Sequence, residues 1–157
     1  EVADRRTMNI GHRALDITAG YGSEVRAADF GILLAKNEKA CPNFSESLCE
    51  NGSGNWVVID HPYINLQTYY LHLQAPSRLP IGSFVNKGGI IGYEGGSGRQ
   101  FDSITKQPVT MCCNGHLHFA VVRRAAIYMN FEGRPTISLG GSVNPLEYLP
   151  PLKNNVR

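Results

Sequence analysis

The stretch GHLHFAVV, residues 115–122, decides the fold and raises the first question about function. Its apolar run predicts a β-strand over 116–124, in which residues two apart point to the same face. His116 and His118 therefore project together, while Leu117 and Phe119 point to the opposite face and into a core. Two imidazoles on one face can share a metal ion, or one can bind metal while the other acts beside it. Two structural histidines are the alternative.

The composition predicts one globular, strand-rich domain. The chain has 157 residues, of which 42% are hydrophobic and 18% charged, and its 17 Gly and 9 Pro indicate many turns. A net charge of +2 without a long Lys/Arg cluster argues against a nucleic-acid partner, and no apolar stretch is long enough to form a transmembrane segment. The chain shows neither an initiator Met nor a signal peptide, so we expect a processed or trimmed fragment.

Alternation of apolar and polar residues, punctuated by glycine, predicts further short strands between two long polar loops at 37–55 and 97–114. The predicted strands lie at 14–18, 23–28, 30–35, 55–61 and 66–73, with two more short ones between 76 and 98. Alternation within 66–73 places Tyr70 and His72 on one face of their strand. The segment AAIYMN, 125–130, predicts at best a short turn.

Four cysteines, an even count, suggest disulfides. Cys41 and Cys49 bracket the segment CPNFSESLC and can close a small ring, which leaves Cys112 and Cys113 as a vicinal bridge. Crossed pairing between the two segments is the competing connectivity, and four free thiols in a cytosolic protein are a further alternative. Two disulfides would place the protein in an oxidising compartment such as the periplasm or the exterior.

Further residues suited to metal chemistry lie elsewhere in the chain. His12 and Asp16, in HRALD, have a spacing that lets an imidazole and a carboxylate converge on one ion. Catalytic zinc is usually held by three protein ligands and leaves the fourth position for water. Taken alone, His12 and Asp16 favour a surface ion pair, and His72 in YLHL favours a structural role. His61, at a strand end, is interpreted as a surface or turn residue.

Taken in order, four motifs resemble the LytM/lysostaphin-type zinc metallopeptidases of the M23 peptidase family. They are HRALD (12–16), TYYLHL (68–73), IGYEGGSG (91–98) and GHLHF (115–119), and the resemblance runs from His12 to about Leu149. It implies a mainly β fold: a single compact antiparallel β-sheet domain over 1–157, with a core at about 12–149 and long loops around a cleft. The chain departs from the family pattern at Ala14, where Gly is usual, and in a long insert after Gly98.

The resemblance also assigns roles to individual residues. His12, Asp16 and His118 match the zinc ligands, which implies one Zn²⁺ per chain. His116 and His72 match the catalytic histidines. One of the pair would accept the proton of the attacking water and the other would donate a hydrogen bond to the oxyanion.

The function that the resemblance implies is zinc-dependent hydrolysis of peptide bonds in peptidoglycan, by a monomer in the periplasm or outside the cell. Tyr70, predicted beside His72, is a candidate substrate-binding residue, and a packed aromatic is the alternative. A catalytically inactive relative that binds peptidoglycan or activates another hydrolase is the second hypothesis. A module with structural zinc is the third, although such sites tend to be closed by four protein ligands.

Overall fold

The structure is a computed structural model. It describes residues 5–7, 14–45, 48–99, 115–124, 128–129, 135–136 and 142–147. Within these ranges the fold is mainly β, as predicted. The strands are β1 (Arg5–Thr7), β2 (Leu15–Thr18), β3 (Glu24–Arg26), β4 (Gly31–Lys36), β5 (Asn55–His61), β6 (Leu66–Leu73), β7 (Phe84–Val85), β8 (Ile90–Tyr93), β9 (Leu117–Arg123), β10 (Tyr128–Met129), β11 (Pro135–Thr136) and β12 (Ser142–Val143).

Eight of the strands form one antiparallel sheet. Seven of them lie in the order β1-β2-β9-β6-β5-β4-β7, and β12 pairs with β9 beyond the end of β2. Two small antiparallel pairs, β3 with β8 and β10 with β11, complete the described strands. Short 3₁₀ helices at Cys49–Gly52 and Pro145–Glu147 are the only described helices, and neither is long or apolar enough to cross a membrane.

The register of the three central strands positions the site. Asp16 of β2 lies opposite His118 of β9, and His118 lies opposite Leu71 of β6. Since directly opposed residues of an antiparallel pair point to the same face, the carboxylate and the imidazole are brought together by strand pairing alone.

The two faces of the sheet carry different cores. The larger core contains Leu117 and Phe119, as the sequence predicts, and its other large members include Leu15, Leu33, Ile59, Tyr70 and Leu73. The opposite face carries a smaller cluster that includes Ala14, Tyr69, Ala120 and Val122. His116 and His118 alternate in register with Ala120 and Val122, so the histidines project from the face with the smaller core.

A β-bulge near the end of β6 changes the predicted alternation. Asn55 pairs with Leu73 and Val57 pairs with Tyr70, so β6 carries one residue more than β5 in this interval. His72 lies in the bulge with a φ of 63°. The Tyr70 ring packs on Phe119, whereas the His72 ring lies beside His118, which points to the other face. The prediction that Tyr70 and His72 share a face is therefore wrong, because the bulge reverses the side of the sheet that His72 faces.

The pairing of Cys41 with Cys49 is present as a disulfide, so the crossed connectivity and the four-free-thiol alternative are wrong for these two residues. Cys112 and Cys113 lie outside the described residues. Of the segment 125–130, predicted as at best a short turn, the structure describes Tyr128 and Met129, and these form a short strand against Pro135–Thr136. A two-residue strand has too little alternation of its own to be identified without its partner.

Candidate active site

Asp16, His116 and His118 form a compact polar cluster on β2 and β9. The Oδ1 atom of Asp16 lies 3.2 Å from Nδ1 of His118 and 3.5 Å from Nε2 of His116. The three side chains are largely buried, with exposed fractions of 20% for Asp16, 14% for His116 and 11% for His118. One carboxylate therefore faces two imidazoles, and all three side chains are partly accessible to solvent.

His72 joins this cluster from β6. Its ring centroid is 5.3 Å from that of His116 and 6.0 Å from that of His118, with both ring pairs nearly perpendicular. One nitrogen from each of the three rings can be chosen so that all lie within 4.8 Å of one another. Without the bulge, Leu71 but not His72 would point to the face that carries His118. The bulge turns His72 to that face and so adds a third imidazole.

The ring of His72 is held in one protonation state. Its Nδ1 donates to the Ser97 carbonyl oxygen, 2.9 Å away, and because a carbonyl only accepts, Nδ1 carries the proton and Nε2 presents a lone pair. Burial lowers the pKa of His72 to about 3, and the neighbouring His116 and His118 lower it too. His72 is therefore a neutral imidazole at neutral pH.

The donor set suits a zinc ion. Imidazole nitrogen and carboxylate oxygen are both ordinary zinc ligands, and a site with three protein ligands keeps a position for water. Asp16 and His118, two of the predicted ligands, are adjacent in the structure. His12, the third predicted ligand, lies outside the described residues. Within the described part of the chain, the carboxylate and imidazoles converge as a metal site requires.

Two further residues considered from the sequence are buried and hydrogen-bonded within the sheet. Tyr70 is 1% exposed, and its hydroxyl accepts a hydrogen bond from the Ala28 N–H at 2.8 Å. Burial raises the pKa of Tyr70 to about 12. This burial and hydrogen bond support the packed-aromatic alternative for Tyr70. His61 is buried rather than at the surface: its Nδ1 donates to the Phe30 carbonyl and its Nε2 accepts from the Thr68 hydroxyl, each at 2.7 Å.

Glu94, within the glycine-rich motif, has a role that the sequence did not reveal. It is 2% exposed, and its carboxylate accepts hydrogen bonds from the N–H groups of Ala19 and Gly20 at 2.8 and 3.1 Å. Burial raises the pKa of the Glu94 carboxyl, and the two N–H donors oppose that shift. These bonds fix the chain just after β2, the strand that carries Asp16. The only sequence signal was a lone acidic residue among glycines, which is also typical of an exposed turn.

Residues 10–131 match the family model of Peptidase family M23. The chain belongs to this family. It is therefore a peptidase, and the resemblance inferred from the motifs is confirmed. No curated protein matches the sequence significantly.

Solved structures agree on the fold. The catalytic domain of the antimicrobial peptidase lysostaphin from Staphylococcus simulans is 19% identical, with a TM-score of 0.60 over 92% of this chain and 91% of that chain. The protein LytU is also 19% identical, with a TM-score of 0.60 over 92% of this chain and 79% of that one. A zinc containing peptidase from Vibrio cholerae is 26% identical, with a TM-score of 0.51, and the match covers 80% of this chain but 28% of that chain. The predicted lysostaphin-type fold is confirmed.

Proposed function

We propose that this M23 peptidase is a zinc-dependent metalloendopeptidase that hydrolyses peptide bonds in peptidoglycan, either in stem-peptide cross-links or in cross-bridges. The observation that carries the proposal is the convergence of Asp16, His118, His116 and His72 on one face of the sheet. A zinc containing peptidase from Vibrio cholerae, among the similar solved structures, supports zinc as the metal. The peptidoglycan substrate rests on the resemblance to LytM/lysostaphin-type enzymes.

The proposed metal ligands are His12, Asp16 and His118, with one zinc ion per chain. When bound, zinc lowers the pKa of a coordinated water towards about 7 and polarises the scissile carbonyl. Asp16 contributes the negative charge that offsets part of the ion's charge, and its pairing with His118 across β2 and β9 prearranges two of the three ligands.

His116 is the proposed proton acceptor. The Asp16 carboxylate is 3.5 Å from its Nε2 atom, so a positive charge on this ring would be stabilised by the neighbouring negative charge. After accepting the water's proton, the His116 ring can pass it to the leaving amine.

His72 is proposed to orient rather than to carry the proton, because burial lowers its pKa to about 3 and so disfavours a protonated ring. Since its Nδ1–H is engaged by the Ser97 carbonyl, its free ring position is the lone pair of Nε2. This nitrogen can accept a hydrogen bond from the water or from a substrate N–H. In this tautomer Nε2 has no proton, so His72 is unsuited to the oxyanion-donor role that the resemblance left open for one histidine of the pair.

The Cys41–Cys49 disulfide supports a location in an oxidising compartment. We propose the periplasm or the cell exterior, where peptidoglycan is accessible, and a monomer composed of a single peptidase domain.

The roles of the histidines are tested by separating metal retention from catalysis. Elemental analysis after gentle purification should find one zinc per chain in the wild type and in His116→Ala, and none in His118→Ala. His61→Ala is a matched control, because His61 is buried on a different part of the sheet, and it should keep both zinc and activity. A wild type without zinc, or a His116→Ala variant that cleaves peptidoglycan at the wild-type rate, would contradict the assignment. Zinc retention without any cleavage by the wild type would favour the inactive peptidoglycan-binding hypothesis.

A further inference from the structure

The backbone of His72 has a conformation that must be held by its surroundings. Its φ of 63° lies in the left-handed region, which a non-glycine residue adopts uncommonly and mostly outside strands. Such conformations persist only where neighbouring contacts over-determine them, and they cluster at functional sites. The contacts that hold His72 therefore bear directly on the orientation of its ring.

Two carbonyl groups fix this residue. The backbone N–H of His72 donates to the Ser53 carbonyl at 3.0 Å, and its ring Nδ1 donates to the Ser97 carbonyl at 2.9 Å. One bond holds the main chain of the bulge and the other holds the imidazole. Both acceptors come from loops outside β6, so the orientation of His72 depends on where those loops lie.

Ser97 is itself locked in place. It is fully buried, and its hydroxyl accepts from the Asn55 N–H at 2.8 Å and donates to the Leu73 carbonyl at 2.6 Å. Gly54 presses against the same residue: a Cβ atom there would come within 2.3 Å of the Ser97 carbonyl oxygen, and its φ of 67° also favours glycine. The position of the carbonyl that accepts the hydrogen bond from His72 Nδ1–H is thus set by the Ser97 hydroxyl and by the contact with Gly54.

The side chain of Asn55 extends this network to the disulfide loop. Asn55 is fully buried, and its Oδ1 accepts from the Cys41 N–H at 2.8 Å and from the Asn37 amide at 2.9 Å. Its Nδ2 donates to the carbonyls of Cys41 and Leu73 at 3.2 and 3.0 Å. One amide therefore ties the first residue of the disulfide-closed loop to the residue that follows His72.

We propose that Ser97 and Asn55 are positioning residues for catalysis, which hold the His72 ring in its Nδ1–H tautomer and in its orientation towards His116. Their side chains act through the Ser97 carbonyl and the Leu73 main chain and need not touch the substrate. This inference rests on the proposed function, because it takes the catalytic role of His72 as given.

The test replaces one hydroxyl and measures both the ring and the rate. Ser97→Ala removes the bonds to Asn55 and Leu73 but keeps the carbonyl that accepts from His72. Ser77→Ala is the matched control: Ser77 is also buried, its hydroxyl accepts a hydrogen bond from the Leu79 N–H, and none of its hydrogen bonds among the described residues reaches His72. We expect Ser97→Ala to lower kcat about tenfold, with KM and zinc content unchanged, whereas Ser77→Ala should leave kcat unchanged.

The second readout needs no activity. In the 157-residue chain labelled with ¹⁵N-histidine, NMR should show a protonated Nδ1 and an unprotonated Nε2 for His72 in the wild type and in Ser77→Ala. In Ser97→Ala the ring should shift towards a mixture of tautomers. Asn55→Ala, which removes the Nδ2 donors without placing a charge in the buried site, should cause the same shift and serves if Ser97→Ala does not fold.

An unchanged His72 ring signal in these variants, an unchanged kcat in Ser97→Ala, or an equal loss of kcat in Ser77→Ala would overturn the positioning role. If the wild type hydrolyses no peptide bond, the proposed function fails, and the ring signals still decide whether Ser97 and Asn55 position His72.

Discussion

Removing the Cys41–Cys49 disulfide should destabilise the protein by an amount that follows from the size of the loop it closes. The two cysteines are separated by 8 positions, so the bond closes a nine-residue loop in the unfolded chain. The chain-entropy relation for such a loop gives about 2.5 kcal/mol at 25 °C. For a domain of this size, that corresponds to a fall in Tm of about 5–10 °C.

The perturbation is the double variant Cys41→Ser/Cys49→Ser, which leaves the other two cysteines in place. Thermal unfolding followed by circular dichroism gives Tm, and Cys41→Ala/Cys49→Ala is the control that distinguishes loss of the cross-link from introduction of hydroxyls. The Tm of both double variants should fall by the same amount. The main-chain N–H and carbonyl of Cys41 bond to the side chain of Asn55, the proposed positioning residue. Since loss of the cross-link loosens the loop that holds Cys41, kcat should fall as well. A Tm within about 2 °C of the wild type in both variants would refute the loop-entropy reasoning.

Three further outcomes test individual side chains. Relative to Glu94→Gln, the wild type should gain stability as pH falls from 7 towards 4, because the folded-state pKa of the Glu94 carboxyl is raised. The stabilisation is therefore present below the unfolded-state pKa and is lost as pH rises through the folded-state pKa. Chemical unfolding of both proteins at several pH values measures this, and a difference in unfolding free energy that stays constant with pH would contradict it. Tyr70→Phe should lower the free energy of unfolding by about 1–2 kcal/mol, since the Ala28 N–H loses its acceptor, and should leave KM unchanged. A raised KM would instead favour a substrate-binding role for Tyr70. His61→Ala should cost about 3 kcal/mol of unfolding free energy, since two buried hydrogen bonds and the packing of the ring are lost, and should spare activity; lost activity with a native Tm would contradict a structural role.

The strands that build the centre of the sheet could be predicted from the sequence. The predicted 55–61 and 66–73 are the bounds of β5 and β6, because their β-branched and aromatic residues form uninterrupted runs. The pair at 116 and 118 also predicted a shared face, since a period of two is a local property of a strand. Only the family resemblance predicted that Asp16 lies with these two histidines. In the structure, the pairing of β2 with β9 places Asp16 opposite His118 and so explains the proximity.

The features that could not be predicted depend on contacts between segments that are far apart in the sequence. The bulge at His72 arises from the pairing of β5 with β6, and nothing within 66–73 marks the extra residue. Asn55 and Ser97 lie 42 positions apart, and their hydrogen bond exists only once β5 and the glycine-rich turn are folded together. The same applies to Glu94, whose two donors lie more than 70 positions away. Polar residues with such partners resemble surface residues in the sequence.

The central claim is that the cluster around Asp16 hydrolyses peptide bonds in peptidoglycan. The most direct measurement is digestion of purified peptidoglycans with different cross-links, followed by mass spectrometry of the released fragments to identify new amino termini. The wild type should release such termini from at least one peptidoglycan, and His116→Ala, loaded with the same zinc content, should release none. No new amino termini from any peptidoglycan with the zinc-loaded wild type, or equal release by His116→Ala, would contradict the account.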